Sequence, residues 1–130
     1  MLFRSNEIYE RGLGIRREVV GVDYVNKALA DADDFTRPLQ DLVTSYCWGA
    51  VWGREGLPRK TRSLLNLVLL TVLNRPHELK IHVRGALRNG CTPVEIREAL
   101  LQAGVYGGVP AAVDAFRVAK EVLAEGSPAK

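Results

Sequence analysis

The segment from residue 64 to residue 73 constrains the fold of this chain more than any other. Its side chains are apolar except for Asn66 and Thr71. Within a helix expected from about Arg59 to Asn74, these side chains cover nearly the whole helix surface. Such a helix belongs at the centre of a domain or inside an oligomer. It is too short to span a bilayer, which takes about 20 apolar residues, so we expect no membrane contact.

Helical periodicity extends over nearly all of the chain, and no segment shows the alternation typical of a β-strand. The other predicted helices run from about residue 6 to 19, from 22 to 32, from 34 or 36 to about 52, from 76 to 89, from 92 to 103, and, after a turn over 104–110, from about 112 to 123. We therefore expect one compact all-α domain of about six to seven helices over residues 1–125. Residues 126–130 are expected to form a flexible tail.

The predicted third helix has Pro38 in its first turn, where proline is tolerated. Its apolar stripe at helical spacing consists of Leu39, Leu42, Val43, Tyr46 and Ala50. Trp48 and Trp52 lie four residues apart on a neighbouring face, which predicts a second buried side for a pocket or a partner. Tryptophans on such a face either pack in a core or interface, or form the wall of a substrate pocket.

Composition favours a globular protein, because 47% of the residues are hydrophobic and 25% are charged. The net charge of +3 comes without any Lys/Arg-rich run, so we expect no nucleic-acid partner and, instead, a slightly positive pocket for an anion. Cys47 and Cys91 show neither a disulfide framework nor zinc-type spacing, so no metal is expected. Met1 to Ser5 lacks the core of a signal peptide, and we expect a cytoplasmic protein.

The predicted fifth helix places a histidine beside its core stripe. Leu79, Val83, Ala86 and Gly90 form that stripe, and Glu78, His82, Gly85 and Asn89 form the adjacent face. Glu78 could orient the imidazole of His82 and raise its pKa, so that the ring can donate a proton. The alternative is an exposed Glu–His pair without a function.

Arginines flank the break that precedes the apolar helix. Arg62 falls in the first turn of that helix, where free backbone N–H groups favour an anion, and Arg54 precedes the break. Either guanidinium could hold a carboxylate through two hydrogen bonds, although both could equally be solvated charges. Tyr106, in the predicted turn near the end of the chain, could line a pocket.

The chain resembles the carboxymuconolactone decarboxylase family nearly from end to end. The pieces that carry the resemblance are residues 9–19, Trp48-Gly49, Trp52, 54–57, 62–64, 74–79, 82–86, Asn89-Gly90, Glu95-Ile96, Leu101-Gln102 and 105–112. The resemblance implies the alkylhydroperoxidase-D-like fold, assembled from trimers and commonly as hexamers. It also implies decarboxylation without a cofactor of 4-carboxymuconolactone to 3-oxoadipate enol-lactone and CO2, in the protocatechuate branch of the β-ketoadipate pathway.

On this resemblance His82 protonates carbon or stabilises the developing oxyanion, and we assign the orientation of its ring to Glu78. We assign the binding of the substrate carboxylates to Arg54 and Arg62. The walls of the pocket are assigned to Trp48, Trp52 and Tyr106. Redox relatives with this fold carry a Cys-x-x-Cys pair just before this histidine, but Arg75 and Glu78 occupy those positions here, which argues against peroxidase activity.

Two other functions fit the same residues. The protein could act on another carboxylated lactone, or isomerise an enol-lactone, with the same proton donor and arginines. It could also be a non-catalytic helical oligomer in which the tryptophans and the apolar helix only build interfaces.

Overall fold

The structure, a computed structural model, describes residues 6–126 and residue 128. Its elements are α1 (Asn6–Val20), α2 (Val22–Ala30), α3 (Arg37–Leu42), a π-helix (Val43–Val51), α4 (Arg59–Val72), α5 (Pro76–Arg88), α6 (Pro93–Gly107) and α7 (Val109–Ala124). The predicted all-α fold class is confirmed. The expectations for Met1 to Ser5 and for most of the tail lie outside the described residues.

The chain forms two compact units that divide between Leu57 and Pro58. The first contains α1, α2, α3 and the π-helix, and the second contains α4 to α7. The single domain expected over residues 1–125 stays a prediction. No helix in the described part of the chain is long and apolar enough to cross a membrane.

In the first unit, the backbones of α1 and the π-helix approach each other closely at two glycines. A Cβ atom on Gly12 would collide with the carbonyl oxygen of Thr44, and one on Gly49 would collide with the carbonyl oxygen of Ile8. Arg11 Nη2 also donates a hydrogen bond to Gly49 O at 3.0 Å. Glycine at these two positions therefore allows a close crossing that no other residue fits.

The apolar stripe predicted for the third helix is wrong in register. Trp52 N donates to Cys47 O at 2.9 Å, the i to i−5 bond of a π-helix, which changes the number of residues per turn. Leu39 and Tyr46 are exposed, at 57% and 48%. The buried residues of the π-helix and its C-cap are instead Thr44, Ser45, Trp48, Gly49 and Trp52. The tryptophans thus belong to the buried side of this segment and do not form a second buried face.

The second unit is built around an apolar core. Its fully buried side chains include Leu67, Leu79, Val83, Ile96, Leu100 and Val122. The stripe predicted for α5 is confirmed at Leu79, Val83 and Ala86. Helix α4 buries Ser63, Leu67 and Thr71, but Leu65, Leu69, Val72 and Leu73 are exposed in the single chain.

The α6–α7 junction is tighter than predicted. Helix α6 begins with a capping box, the motif in which Ser or Thr is followed three residues later by Glu. Glu95 N donates to Thr92 Oγ1 at 3.1 Å, and Thr92 N donates to Glu95 Oε1 at 2.9 Å. The predicted turn over residues 104–110 is wrong, because α6 continues to Gly107 and only Gly108, with φ 119°, separates it from α7. A Cβ on Gly104 would lie 2.7 Å from the Cβ of Ala112. Gly104 thus serves close helix packing and does not form a turn.

Candidate active site

His82 lies on α5 in the second unit, partly buried, and faces an amide side chain of α4. The Nδ2 atom of Asn66 lies 3.5 Å from His82 Nδ1. This contact is a hydrogen bond only for the neutral tautomer that carries its proton on Nε2, because an amide nitrogen donates and Nδ1 must then accept. Sequence reasoning missed Asn66 as a site residue, although its interruption of an apolar run was a usable signal.

The prediction that the pKa of His82 is raised is wrong. Burial lowers the pKa of His82 to about 4, and the negative charge of Glu78 opposes this shift without reversing it. Glu78 is exposed, so water screens its charge. At neutral pH His82 is therefore an uncharged imidazole, which can donate a hydrogen bond from one ring nitrogen.

A second polar contact joins the same two helices. Asn89 Nδ2, at the C-cap of α5, donates to Ser63 Oγ of α4 at 2.9 Å. Ser63 is fully buried, and a buried hydroxyl without this partner would cost free energy. The two contacts fix the register of α4 against α5, and thereby hold Asn66 opposite His82.

The two arginines proposed as carboxylate ligands lie in different units. Arg62 is partly buried in the first turn of α4. That helix begins after Pro58, whose side chain cannot cap it, and Arg62 N donates to Pro58 O at 3.1 Å. Arg54 is an exposed residue of the first unit, just beyond the π-helix.

The predicted aromatic wall residues differ strongly in exposure. Trp48 and Trp52 stack with ring centroids 4.7 Å apart and an interplanar angle of 30°. They are only 5% and 8% exposed, as the core-packing alternative requires. Tyr106 is 83% exposed and lies in the last turn of α6 rather than in a loop.

The first unit buries a charged residue that sequence reasoning did not select. Arg16 of α1 is 5% exposed, and its Nη1 donates to Gln40 Oε1 at 2.9 Å and to Thr44 Oγ1 at 3.1 Å. Burial lowers the pKa of Arg16 from its ordinary value. Nothing in the local sequence separates Arg16 from its neighbour Arg17, which is partly buried and donates to Asn26.

Comparison with known proteins gives the class of protein to which this helical chain belongs. The carboxymuconolactone decarboxylase family model matches residues 37–121, and the chain belongs to this family.

Three related proteins match between 60% and 89% of this chain. The chain is 46% identical over 116 residues to nitrosuccinic acid decarboxylase npaB of Metarhizium robertsii, covering 89% of this chain and 81% of that protein. It is 41% identical over 115 residues to 4-carboxymuconolactone decarboxylase of Acinetobacter baylyi, covering 88% and 86%. An uncharacterized 15.0 kDa protein of Paracoccus denitrificans is 42% identical over 81 residues, 60% of each chain. The family and the first two relatives support a decarboxylating lyase.

Proposed function

We propose that the protein decarboxylates 4-carboxymuconolactone to 3-oxoadipate enol-lactone and CO2 without a cofactor, in the protocatechuate branch of the β-ketoadipate pathway. The observation that carries the proposal is the 41% identity over 88% of the chain to the Acinetobacter baylyi enzyme. The partly buried, neutral histidine of α5 supports it, because this chemistry needs a hydrogen-bond donor in a dry place.

The substrate itself contains the electron acceptor that the reaction needs. The carboxylate to be lost is attached to a saturated ring carbon. That carbon is next to a carbon–carbon double bond that is conjugated with the lactone carbonyl. When the C–C bond breaks, CO2 leaves and the electron pair moves into that system as a dienolate with negative charge on the carbonyl oxygen. A proton added to carbon then gives the enol-lactone.

We assign the stabilisation of this oxygen to Nε2–H of His82. A neutral imidazole is a suitable donor to a developing enolate oxygen, since it gains a strong hydrogen bond without having to transfer its proton. Asn66, which faces Nδ1 at 3.5 Å, holds the ring with its proton on Nε2. Glu78 acts on His82 through its charge, in the direction that raises the pKa.

The remaining residues are proposed to shape and charge the binding site. Arg62, in the first turn of α4, is proposed to bind a substrate carboxylate through its guanidinium, and Arg54 is proposed as a second ligand. Trp48, Trp52 and Tyr106 are proposed as walls.

A second substrate is favoured by the relative from Metarhizium robertsii, which is 46% identical. Nitrosuccinic acid also carries two carboxylates, one of them beside a strong electron acceptor. Loss of that carboxylate leaves a nitronate, whose oxygens could accept the same hydrogen bond from His82, and protonation of carbon gives 3-nitropropanoate. The two reactions therefore require the same protein groups and differ in the shape of the ligand.

We also propose a homo-oligomer, a trimer or a hexamer. Leu65, Leu69 and Val72 follow one another at helical spacing on α4 and are 46–55% exposed in the single chain. A second copy would remove this apolar face from water. A cytoplasmic location stays a prediction.

The deciding experiment supplies each substrate in turn to purified protein in the presence of a metal chelator, and follows CO2 and the organic product by NMR. We expect wild type to convert 4-carboxymuconolactone, and His82→Ala to be slower by about 100-fold or more, as for the loss of one oxyanion donor. His77→Ala is the matched control, because His77 is an exposed histidine of the same helix.

The outcomes separate the alternatives. If the protein converts nitrosuccinic acid but not 4-carboxymuconolactone, nitrosuccinic acid becomes the proposed substrate. Turnover that does not depend on His82 would remove the assigned role but keep the reaction, and no turnover of either compound by folded wild type would refute both.

A further inference from the structure

The second unit contains a groove between α6 and α7 that the proposed function does not use. Its volume is about 610 Å³, within the range of roughly 300–1,000 Å³ that is typical of small-molecule sites. All of its lining residues lie on these two helices, in the ranges 93–100 and 113–123. None of them lies on α5, the helix that carries His82, so the groove is lined by other residues than the candidate active site.

The groove runs along the two helices, away from their junction. Near the junction the helices are close together, because a Cβ on Gly104 would lie 2.7 Å from the Cβ of Ala112. Farther along, the almost fully buried core residues Ile96, Leu100 and Ala119 form the floor of the groove. At a rise of 1.5 Å per residue, the lined stretches of the helices are about 10–15 Å long. This length suits an extended acyl chain of medium length.

The charged residues that line the groove are all positive. They are Arg97, Arg117 and Lys120, and all three are exposed. Arg97 pairs with Glu98, and Arg117 pairs with Asp114, but such exposed ion pairs contribute little free energy and can exchange for the carboxylate of a ligand. Lys120 makes no ion pair within the part of the chain that the structure describes. An apolar groove with cations at its edge is complementary to a molecule with an apolar body and an anionic head.

Two other occupants fit this groove less well. A second copy that applied the same face would bring the three cations against their own counterparts, and like charges in contact are unfavourable. A protein partner takes about 20–30 residues on each side for an interface of standard size, but eleven residues line this groove. The size and charge of the groove therefore favour a small anionic molecule.

We propose that the groove between α6 and α7 binds a medium-chain fatty acid. The acyl chain lies on the apolar floor, between the exposed walls formed by Val94 and Val113, and removes these side chains from water. The carboxylate lies among the three cations. This binding involves no reaction and does not depend on the proposed function.

Isothermal titration calorimetry of purified wild-type protein with decanoate tests the proposal. We expect one site per chain, with an affinity that rises by about fourfold for each methylene group from hexanoate to decanoate, because each adds apolar surface that becomes buried. Decanol has the same chain without the charge and should bind about tenfold more weakly. Decyltrimethylammonium, which carries the opposite charge, should not bind.

Two substitutions separate the apolar part of the groove from its charged part. Val113 and Lys120 are exposed, so both variants should fold. Val113→Asp should weaken decanoate binding by at least about tenfold, because it removes an apolar wall and adds a like charge. Lys120→Met should weaken it by up to about fivefold and reduce the difference between decanoate and decanol. The matched controls are Val109→Asp and Lys80→Met, which lie outside the groove in the same unit and should bind decanoate as wild type does.

Three results would overturn the proposal. The first is equal affinity of wild type and Val113→Asp for decanoate. The second is binding of decanol or decyltrimethylammonium as tight as that of decanoate, which would remove the role of the cations. The third is no binding of decanoate to wild type. If Val113→Asp then also changes the oligomeric state in analytical ultracentrifugation, the groove is a contact between copies of the chain.

Discussion

The interiors of the two units of this protein differ in the kinds of side chain that they bury. The second unit surrounds Leu67 with apolar side chains from α5, α6 and α7, its buried polar side chains are the hydroxyls of Ser63 and Thr71, and its partly buried histidine is neutral. The first unit also buries apolar side chains such as Val19 and Val25, but it places the guanidinium of Arg16 in its interior and has close backbone contacts at Gly12 and Gly49. An apolar core is specified by periodicity alone, whereas a polar interior depends on partners that only the folded chain brings together.

The largest expected effect tests the apolar interior of the second unit. Leu67→Ala should lower the free energy of unfolding by about 2–5 kcal/mol, because a fully buried leucine leaves a cavity when it is truncated. Urea unfolding followed by circular dichroism measures this change. A cost below about 1 kcal/mol would show that Leu67 is not a central core residue.

The neutral state of His82 predicts a loss of stability in acid. Its pKa is about 4 in the folded chain and about 6.5 when unfolded. The unfolded chain therefore takes up a proton first, and stability falls as the pH decreases from about 6.5 to about 4, by on the order of 3 kcal/mol. Chemical unfolding across this pH range should show the loss in wild type and in His77→Gln. His82→Gln should lack it, and an unchanged pH dependence in that variant would contradict the assignment.

The close crossing in the first unit predicts opposite effects at two glycines of α1. Gly12→Ala should destabilise by about 1–3 kcal/mol, because its Cβ meets backbone that must move. Gly14→Ala meets nothing within 4 Å and should stabilise by about 0.5–1 kcal/mol through helix propensity. Both tryptophans lie in the first unit, so their fluorescence during unfolding reports on it. Equal effects at the two positions would refute the close crossing.

The smallest expected effect concerns the polar contact between Asn66 of α4 and His82 of α5. Asn66→Asp replaces a donor by an acceptor opposite His82 Nδ1, so the ring proton should move to Nδ1 and turnover should fall by about tenfold. NMR of 15N-labelled histidine reads the protonation of each ring nitrogen directly. Asn89→Asp, the same change at the Ser63 contact, should leave the protonation of His82 as it is. A proton on Nδ1 already in wild type would reverse the assignment.

The sequence alone determined much of the second unit. The stripe of Leu79, Val83 and Ala86, the capping box at Thr92 and the position of His82 beside the core all follow from local periodicity and local hydrogen bonds. The breaks at Gly21 in the first unit and Gly90 in the second, both with positive φ, were also predictable from the sequence. These features depend on interactions between residues close in sequence, or on a face that repeats every turn.

Only the tertiary structure decided the rest. The π-helix shifted the buried face onto Thr44 and Trp48 because its bond pattern is not encoded in apolar spacing. Helix α6 continues to Gly107 where a turn was predicted. The reason is that Gly104 packs against Ala112 of α7, and this contact between two helices is not visible in the local sequence. The neutral state of His82 and the burial of Arg16 depend on desolvation by residues distant in sequence, and burial in three dimensions is not a property of any short segment.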